Sequence, residues 1–285
     1  MIKKIYRKIA KRRRDSHKGD YGHVYVLAGS SRYTGAPYLA SQAALLSGSG
    51  LVTLGVAKSI YPILAKKLVE VMVQPLAETS GASLGLKAEK EIIKFSTRTD
   101  VIALGPGISL DKETQELARG LIEKIEEPFV IDADGISALA GHLEILKRRK
   151  APAVLTPHPG EFGRLLGMDT APVRAERKRL ALDFSRRYNV VLVLKGDATL
   201  VANPDGLVYV NDTGNPGMAT GGAGDVLTGM IASFIGQGLS AYEAAVLGVH
   251  VHGLAGDMAA EEKGVLSLIA TDILNKIPEA FKALA

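Results

Sequence analysis

Asn211-Asp212-Thr213-Gly214-Asn215-Pro216-Gly217-Met218-Ala219-Thr220-Gly221-Gly222-Ala223-Gly224-Asp225-Val226-Leu227-Thr228-Gly229 is the stretch on which the reading of this chain turns. Glycines at 214, 217, 221, 222 and 224 leave its backbone uncovered, and the pattern beyond them predicts a helix over 223–235. A helix that starts in bare backbone turns its unpaired N–H groups and the positive end of its dipole into the loop. Gly221, Gly222, Ala223 and Gly224 therefore read as a cradle for an anion, most simply phosphate. Asp225 stands where the helix begins, so its carboxylate is expected to be ionised and to accept a hydrogen bond from a substrate hydroxyl. An aspartate that merely caps a helix satisfies the same residues.

Upstream of the loop, short apolar runs alternate with helical stretches. Strands are expected at 23–29, 51–57, 101–104, 129–132, 153–156 and 190–194, with helices such as 37–47 and 112–125 between them. Such alternation builds parallel βαβ units. The segment 199–210 reads as a hairpin turning at Asn203-Pro204-Asp205-Gly206. Downstream the chain is nearly all helix, at 223–235, 241–260 and 271–283. No linker or repeat divides it, which favours one large α/β domain preceded by a basic helix or arm over residues 1–16. In a doubly wound sheet the residues just after each strand face the ligand.

Composition removes whole classes of function. The 285 residues include no cysteine, which excludes a disulfide framework, a thiolate metal site and a cysteine nucleophile. No apolar run approaches the roughly 18 residues that span a bilayer, and no secretory leader opens the chain, so a cytoplasmic protein without membrane contact is expected. The net charge of +5 owes much to Lys3-Lys4, Arg7-Lys8 and Lys11-Arg12-Arg13-Arg14. That run fits a solvated terminal arm, and without an aromatic or RNA-binding motif it does not make a nucleic-acid partner.

Neither common nucleotide fingerprint is present: there is no Gly-x-x-x-x-Gly-Lys-Ser/Thr, and no Gly-x-Gly-x-x-Gly follows the first strand. Other blocks accompany the glycine loop in a fixed order. They are His17-Lys18-Gly19-Asp20-Tyr21-Gly22-His23, Tyr33-Thr34-Gly35-Ala36-Pro37, Leu104-Gly105-Pro106-Gly107 and Asp132-Ala133-Asp134-Gly135. Thr156-Pro157-His158-Pro159-Gly160-Glu161-Phe162 and Lys195-Gly196-Asp197-Ala198-Thr199 complete the set. The ordered set resembles the ADP/ATP-dependent NAD(P)H-hydrate dehydratases of the ribokinase-like superfamily, over nearly the whole chain. The resemblance implies a three-layer α/β/α fold with a mostly parallel central sheet and helices on both faces.

It also implies roles. Asp225 is the base that accepts the substrate hydroxyl proton, and Ala36, Gly107 and His158 contact NADHX or NADPHX, the hydrated cofactors. Lys195, Gly196, Asp197, Ala198, Thr199 and Gly224 border the nucleotide, ADP or ATP. Glu161 takes the place of a glutamate that orders Mg2+ through water. The expected activity is a carbon–oxygen lyase acting on the S-epimer of the hydrate in metabolite repair, without the epimerase domain of fused relatives, in a homotetramer. A small-molecule kinase of the same fold, for hydroxymethylpyrimidine or hydroxyethylthiazole, shares the glycine loop and stands as the alternative.

Local readings compete with several of these roles. Glu161 also suits a first-turn charge facing a helix dipole. Lys195 also suits a β-turn with a solvated lysine, and Gly105 and Gly107 suit simple turns. Asp132 and Asp134 look like a carboxylate pair for metal or acid work, or one of them caps a helix. His250 and His252, two apart on one helix, point to different faces and are expected to pack rather than bind a metal together. His17 and His23 carry no assigned chemistry.

Overall fold

In the computed structural model, which describes residues 1–285, successive side chains of the central strands serve two separate cores. On β1 (His23–Leu27), Val24 and Val26 point into one apolar cluster and Tyr25 and Leu27 into the other. The same split recurs on β4 (Val101–Leu104), after β2 (Leu51–Ala57) and β3 (Met72–Leu76). A strand buried on both faces must be apolar at every position, which is why these segments read as continuous runs and not as alternating ones. β5 (Phe129–Ile131), β6 (Ala153–Leu155) and β7 (Val191–Leu194) are likewise buried throughout.

The nine strands form one sheet in the order β3-β2-β1-β4-β5-β6-β7-β8-β9. β1 to β7 run parallel, and β8 (Leu200–Ala202) and β9 (Val208–Val210) extend the sheet as the expected antiparallel hairpin. Helices Gly35–Leu46, Ala223–Gly236, Ala241–Lys263 and Ala270–Leu284 cover one face. Lys112–Lys124, Pro159–Leu166 and Arg177–Tyr188 lie on the other with shorter helices. This is the three-layer α/β/α architecture. No helix is long and apolar enough to cross a membrane.

One strand has no counterpart in the sequence reading. β3 carries Pro75 and is mostly exposed or half-exposed, so it lacks the apolar signature of its neighbours. Proline lacks an N–H and is tolerated there because β3 is an edge. The basic N-terminus is also more firmly held than a solvated arm. Its helix Ile2–Tyr6 buries Ile5 in the core, Lys8 Nζ lies 2.6 Å from Glu243 Oε1, and the Arg12 guanidinium stacks 4.1 Å above the Tyr21 ring.

Strand order reverses between β1 and β4. From β1 the chain builds outward through β2 and β3, then returns to the other side of β1 to start β4. Connections leave in opposite directions there and open a crevice beyond the strand ends. Gly29-Ser30 and Gly105-Pro106-Gly107 line it, joined by a hydrogen bond from Gly29 N to Pro106 O (2.8 Å). The block His17–His23 sits at the opposite, amino end of β1. A Cβ on Gly22 (φ +77°) would lie 2.2 Å from Gly236 O, so this block latches the sheet to a helix end. His23 bonds Thr53 Oγ1 (2.8 Å) and Arg98 O (3.2 Å), which makes it structural.

Candidate active site

The glycine loop is held from outside before it reaches the helix. Asp257, on helix Ala241–Lys263, accepts from Gly214 N (2.8 Å) and Asn215 Nδ2 (2.9 Å), and Asn215 Oδ1 in turn accepts from Gly217 N (3.0 Å). The same helix carries Gly253 and Gly256 where the loop crosses it. A Cβ at either would lie 2.2 Å from Thr213 Oγ1 or 2.3 Å from Met218 Sδ. His252 Nε2 is 2.9 Å from Ala223 O, and burial depresses the imidazole pKa to about 4, so the ring is neutral and its N–H donates. His250 faces away, toward Tyr209 and Asp212. The two histidines indeed share no site, and His252 steadies the first helical turn.

Asp225 is the third residue of helix Ala223–Gly236, whose cap is Gly222 in the left-handed region (φ +92°). The aspartate caps nothing, and its carboxylate has no hydrogen-bond partner in the chain. Its protonation differs from the expectation of a fully ionised group. Burial first, and then the negative charge of Asp132, push its pKa up to about 7; Lys195 opposes them and Asp134 adds to them. Desolvation outweighs the helix dipole here. A base whose pKa sits near working pH suits proton abstraction better than a strongly acidic carboxylate does.

Beneath the loop stands Lys195, brought there by β7. A Cβ on Gly224 would lie 3.2 Å from its Nζ, tight enough to press the ammonium back by a few tenths of an ångström. Lys195 Nζ donates to Asp132 Oδ1 (2.8 Å) and lies 4.0 Å from Glu161 Oε2. Burial pulls the lysine pKa down, but Asp132 and then Glu161 overcome that and hold it above the ordinary value. The reading of a solvated turn lysine is thereby removed. The rest of the block is a tight loop, with Gly196 at φ +136° and Ala198 at +49°. Arg177 braces it by donating to Asp197 O (2.6 Å) and Leu194 O (3.2 Å). Thr199 O accepts from Asn211 N (2.9 Å), which ties this loop to the glycine loop.

His158 and Glu161 cap helix Pro159–Leu166 reciprocally. His158 Nδ1 accepts from Gly160 N (3.0 Å) and Glu161 N (3.3 Å), and Glu161 Oε2 accepts from His158 N (2.8 Å). Burial keeps the imidazole pKa below its usual value, against the pull of Glu161, so the ring is neutral with its proton on Nε2. Nε2 makes no hydrogen bond within the chain, its nearest acidic neighbour being Glu161 Oε1 at 3.5 Å, and the side chain is half exposed.

The two carboxylates of the pair are bonded to different partners. Asp132 is 1 % exposed and both its oxygens are occupied within the protein, while Asp134 Oδ2 accepts from Ser109 N (2.9 Å). No group of three or more histidine or acidic side chains forms a metal cage. What remains is Glu161, with Oε1 uncommitted except for the His158 ring at 3.5 Å. That donor set fits a Mg2+ ion arriving with nucleotide phosphates and touched by the protein through water, and fits no ion held by protein alone.

Ala36 and Gly107 meet across the crevice. A Cβ on Gly107 (φ +62°) would lie 3.3 Å from Ala36 Cβ and 2.5 Å from Tyr33 Cβ. Ala36 opens helix Gly35–Leu46, which packs along the loop helix. Sequence reasoning missed Asp257, Asn215, Arg177, Thr156 and Thr228. Asn215 and Thr228 lie within the glycine stretch and Thr156 opens the His158 block, while Asp257 and Arg177 stand in no motif; only the fold shows what each one holds.

Fold and site together place the chain in the ribokinase-like class of α/β/α proteins. Within that class it belongs to the NAD(P)H-hydrate dehydratase family, whose profile matches residues 24–279. An ADP-dependent (S)-NAD(P)H-hydrate dehydratase from Neisseria meningitidis is 35% identical over 268 residues, covering 92% of this chain and 86% of that protein. A bifunctional NAD(P)H-hydrate repair enzyme from Thermofilum pendens is 45% identical over 273 residues; these cover 96% of this chain but 52% of the relative, so the chain spans about half its length. The crystal structure of an ADP/ATP-dependent NAD(P)H-hydrate dehydratase from Bacillus subtilis, co-crystallised with ATP and Mg2+, superposes with a TM-score of 0.85 at 30% identity. That match covers 100% of this chain and 98% of the other.

Proposed function

We propose that this chain dehydrates the S-epimer of NAD(P)H hydrate back to NAD(P)H, using ADP or ATP as phosphoryl donor. The observation that carries the reading is the unpaired Asp225 carboxylate, set on the first turn of the helix that follows the glycine loop. Hydroxide is a poor leaving group and phosphate a good one. Asp225 takes the proton of the hydrate hydroxyl as its oxygen attacks the terminal phosphorus of the nucleotide. The N–H groups of Gly221 to Gly224 and the ammonium of Lys195 stabilise the transferring group. The lone pair of the ring nitrogen then expels phosphate, and loss of a proton from the neighbouring ring carbon restores the reduced nicotinamide.

Mg2+ bound with the nucleotide would neutralise charge on its phosphate oxygens, and Glu161 is the residue to order its water. The neutral His158, with Ala36 and Gly107, lines the hydrate side, and residues 195–199 the nucleotide side. A vitamin-type kinase of the same fold is not favoured, because the family match runs over residues 24–279 and the glycine loop alone would not distinguish the two.

NADH hydrate supplied with Mg2+ and either ADP or ATP is expected to regain its reduced-nicotinamide absorbance. No recovery with either nucleotide rejects the proposal, and phosphorylation of hydroxymethylpyrimidine or hydroxyethylthiazole in its place establishes the kinase. Asp225 must be deprotonated to act. With a pKa of about 7, kcat/KM is therefore expected to fall about tenfold per pH unit below neutrality. A flat profile from pH 5 to pH 8 would remove Asp225 from the role of base.

A further inference from the structure

One buried carboxylate joins four elements of the site. Asp132, at the carboxyl end of β5, accepts from Lys195 Nζ (2.8 Å) and Thr156 Oγ1 (2.7 Å) on Oδ1, and from Thr228 Oγ1 (2.8 Å) on Oδ2. Thr156 follows β6, Lys195 follows β7, and Thr228 lies one turn into the loop helix, three residues beyond Asp225. Asp132, Thr156 and Thr228 are 1 %, 0 % and 0 % exposed. The strand ends and the loop helix therefore share one set of hydrogen bonds, in which the carboxylate and both hydroxyls are closed to water.

We propose that Asp132 is a positioning residue for phosphoryl transfer: it fixes the Lys195 ammonium beneath the glycine loop and, through Thr228, fixes the turn that carries Asp225. The proposal rests on the phosphoryl-transfer reading above and adds a residue that neither reacts nor touches the transferred group. Lysine on its flexible stem places a charge loosely. A buried, charge-assisted hydrogen bond turns that loose charge into a fixed one. A lysine aimed by Asp132 delivers positive charge where a Cβ on Gly224 would lie only 3.2 Å away, under the N–H groups expected to meet phosphate. Asp132 also faces Asp225, together with Lys195 and Asp134, so its charge bears on the proton affinity of the base.

Four proteins test this: Asp132→Asn, Lys195→Met, the double variant and Thr228→Val. Asp132→Asn is expected to lower kcat about 100-fold, the scale of an ångström of misplacement. Because Asp132 acts in part through Lys195, the double variant should be markedly less impaired than the product of the two single effects. Removing a negative charge beside Asp225 should also move the acid limb of the pH profile to lower pH, which loss of packing alone would not do. Effects of Asp132→Asn and Lys195→Met that multiply independently, or an unchanged kcat and acid limb, overturn the proposal.

If Asp132→Asn does not fold, Thr228→Val keeps the ion pair and removes one hydrogen bond. It should fold and lose about fivefold in kcat, the worth of one such bond. Wild-type kcat in that variant overturns the proposal equally. Calorimetric binding of ADP to all four proteins needs no hydrate. A wild type that binds ADP without repairing the hydrate thus undermines the assigned reaction and not the Asp132 clamp, while wild-type ADP affinity in both Asp132→Asn and Thr228→Val undermines the clamp alone.

Discussion

Asp225→Asn is expected to abolish most turnover and, at the same time, to stabilise the fold. The catalytic half follows from the proton: an amide cannot take it, and a positioned general base is worth roughly 10²–10⁴ in rate. A loss near the upper end is expected because the nearest carboxylates on the strand and helix side of the loop are already bonded within the protein. Asp132 is occupied by three donors, and Glu161 gives one oxygen to its helix cap. The stability half follows from the cause of the raised pKa. Burial and the Asp132 charge penalise the ionised form, lifting the folded value to about 7 from an ordinary 3.8.

Between those two values the folded chain holds a proton that the unfolded chain has released. The stability belonging to this group is full below the unfolded value and is lost as pH rises through about 7. At pH 8 the wild type carries the whole penalty and the asparagine variant none of it. Partial exposure of the side chain screens the effect, so a gain of about 1–3 kcal/mol is expected at pH 8, shrinking toward zero at pH 4. Melting curves at the two pH values check this. A variant that is inactive but no more stable at pH 8 than at pH 4 would place Asp225 in a wetter, less strained setting than its surroundings indicate.

That coupling of chemistry to strain could be read only in part from the sequence. The uncovered backbone of the loop was legible because four glycines precede an apolar helix and a fifth stands on its first turn, where the helix has N–H groups to offer. The parallel sheet was legible because doubly buried strands must be continuously apolar. The protonation of Asp225 was not, since it depends on Asp132, which β5 delivers from far along the chain. Lys195 likewise suited a solvated turn as well as a nucleotide contact until β7 set it against Asp132, 63 residues away in sequence. His158 and Glu161 show the reverse case. Their three-residue spacing is a local helix-capping signature, and the structure uses them for it while leaving the His158 side chain half exposed. β3 stayed hidden because an edge strand can be polar and can contain proline, so it has no pattern to find.

Gly229→Ala is expected to destabilise the protein and disable the site, although it improves the helix propensity of a buried helix. Alanine in place of glycine favours the helical state by about 1 kcal/mol. Against that, a Cβ at 229 would lie 2.0 Å from Ala40 O, 2.9 Å from Ala40 C and 3.0 Å from Ala43 Cβ. The obstacle is the backbone of helix Gly35–Leu46, which cannot swing aside as a side chain can. Ala40, Ala43 and Ala44 are each 0 % exposed, so the two helices are already in contact with no slack between them. Overpacking of this kind costs about 3 kcal/mol or more, which outweighs the propensity gain and leaves a net loss of roughly 2 kcal/mol. For a chain of this size that lowers Tm by roughly 4–8 °C.

The loop helix can relieve the clash only by moving outward, and Asp225 stands one turn ahead of residue 229. A displacement near 1 Å at the base is worth about 100-fold in turnover, so activity should fall by more than the lost stability explains. Gly236→Ala is the matched comparison: it lies at the far end of the same helix, and its nearest contact would be Val101 Cγ1 at 3.5 Å, ordinary van der Waals distance. It should fold at least as well as the wild type and turn over normally. Equal behaviour of the two variants would mean that helix Gly35–Leu46 does not fix the height of the loop helix, and that Asp225 owes its position to the Asp132 and His252 contacts alone.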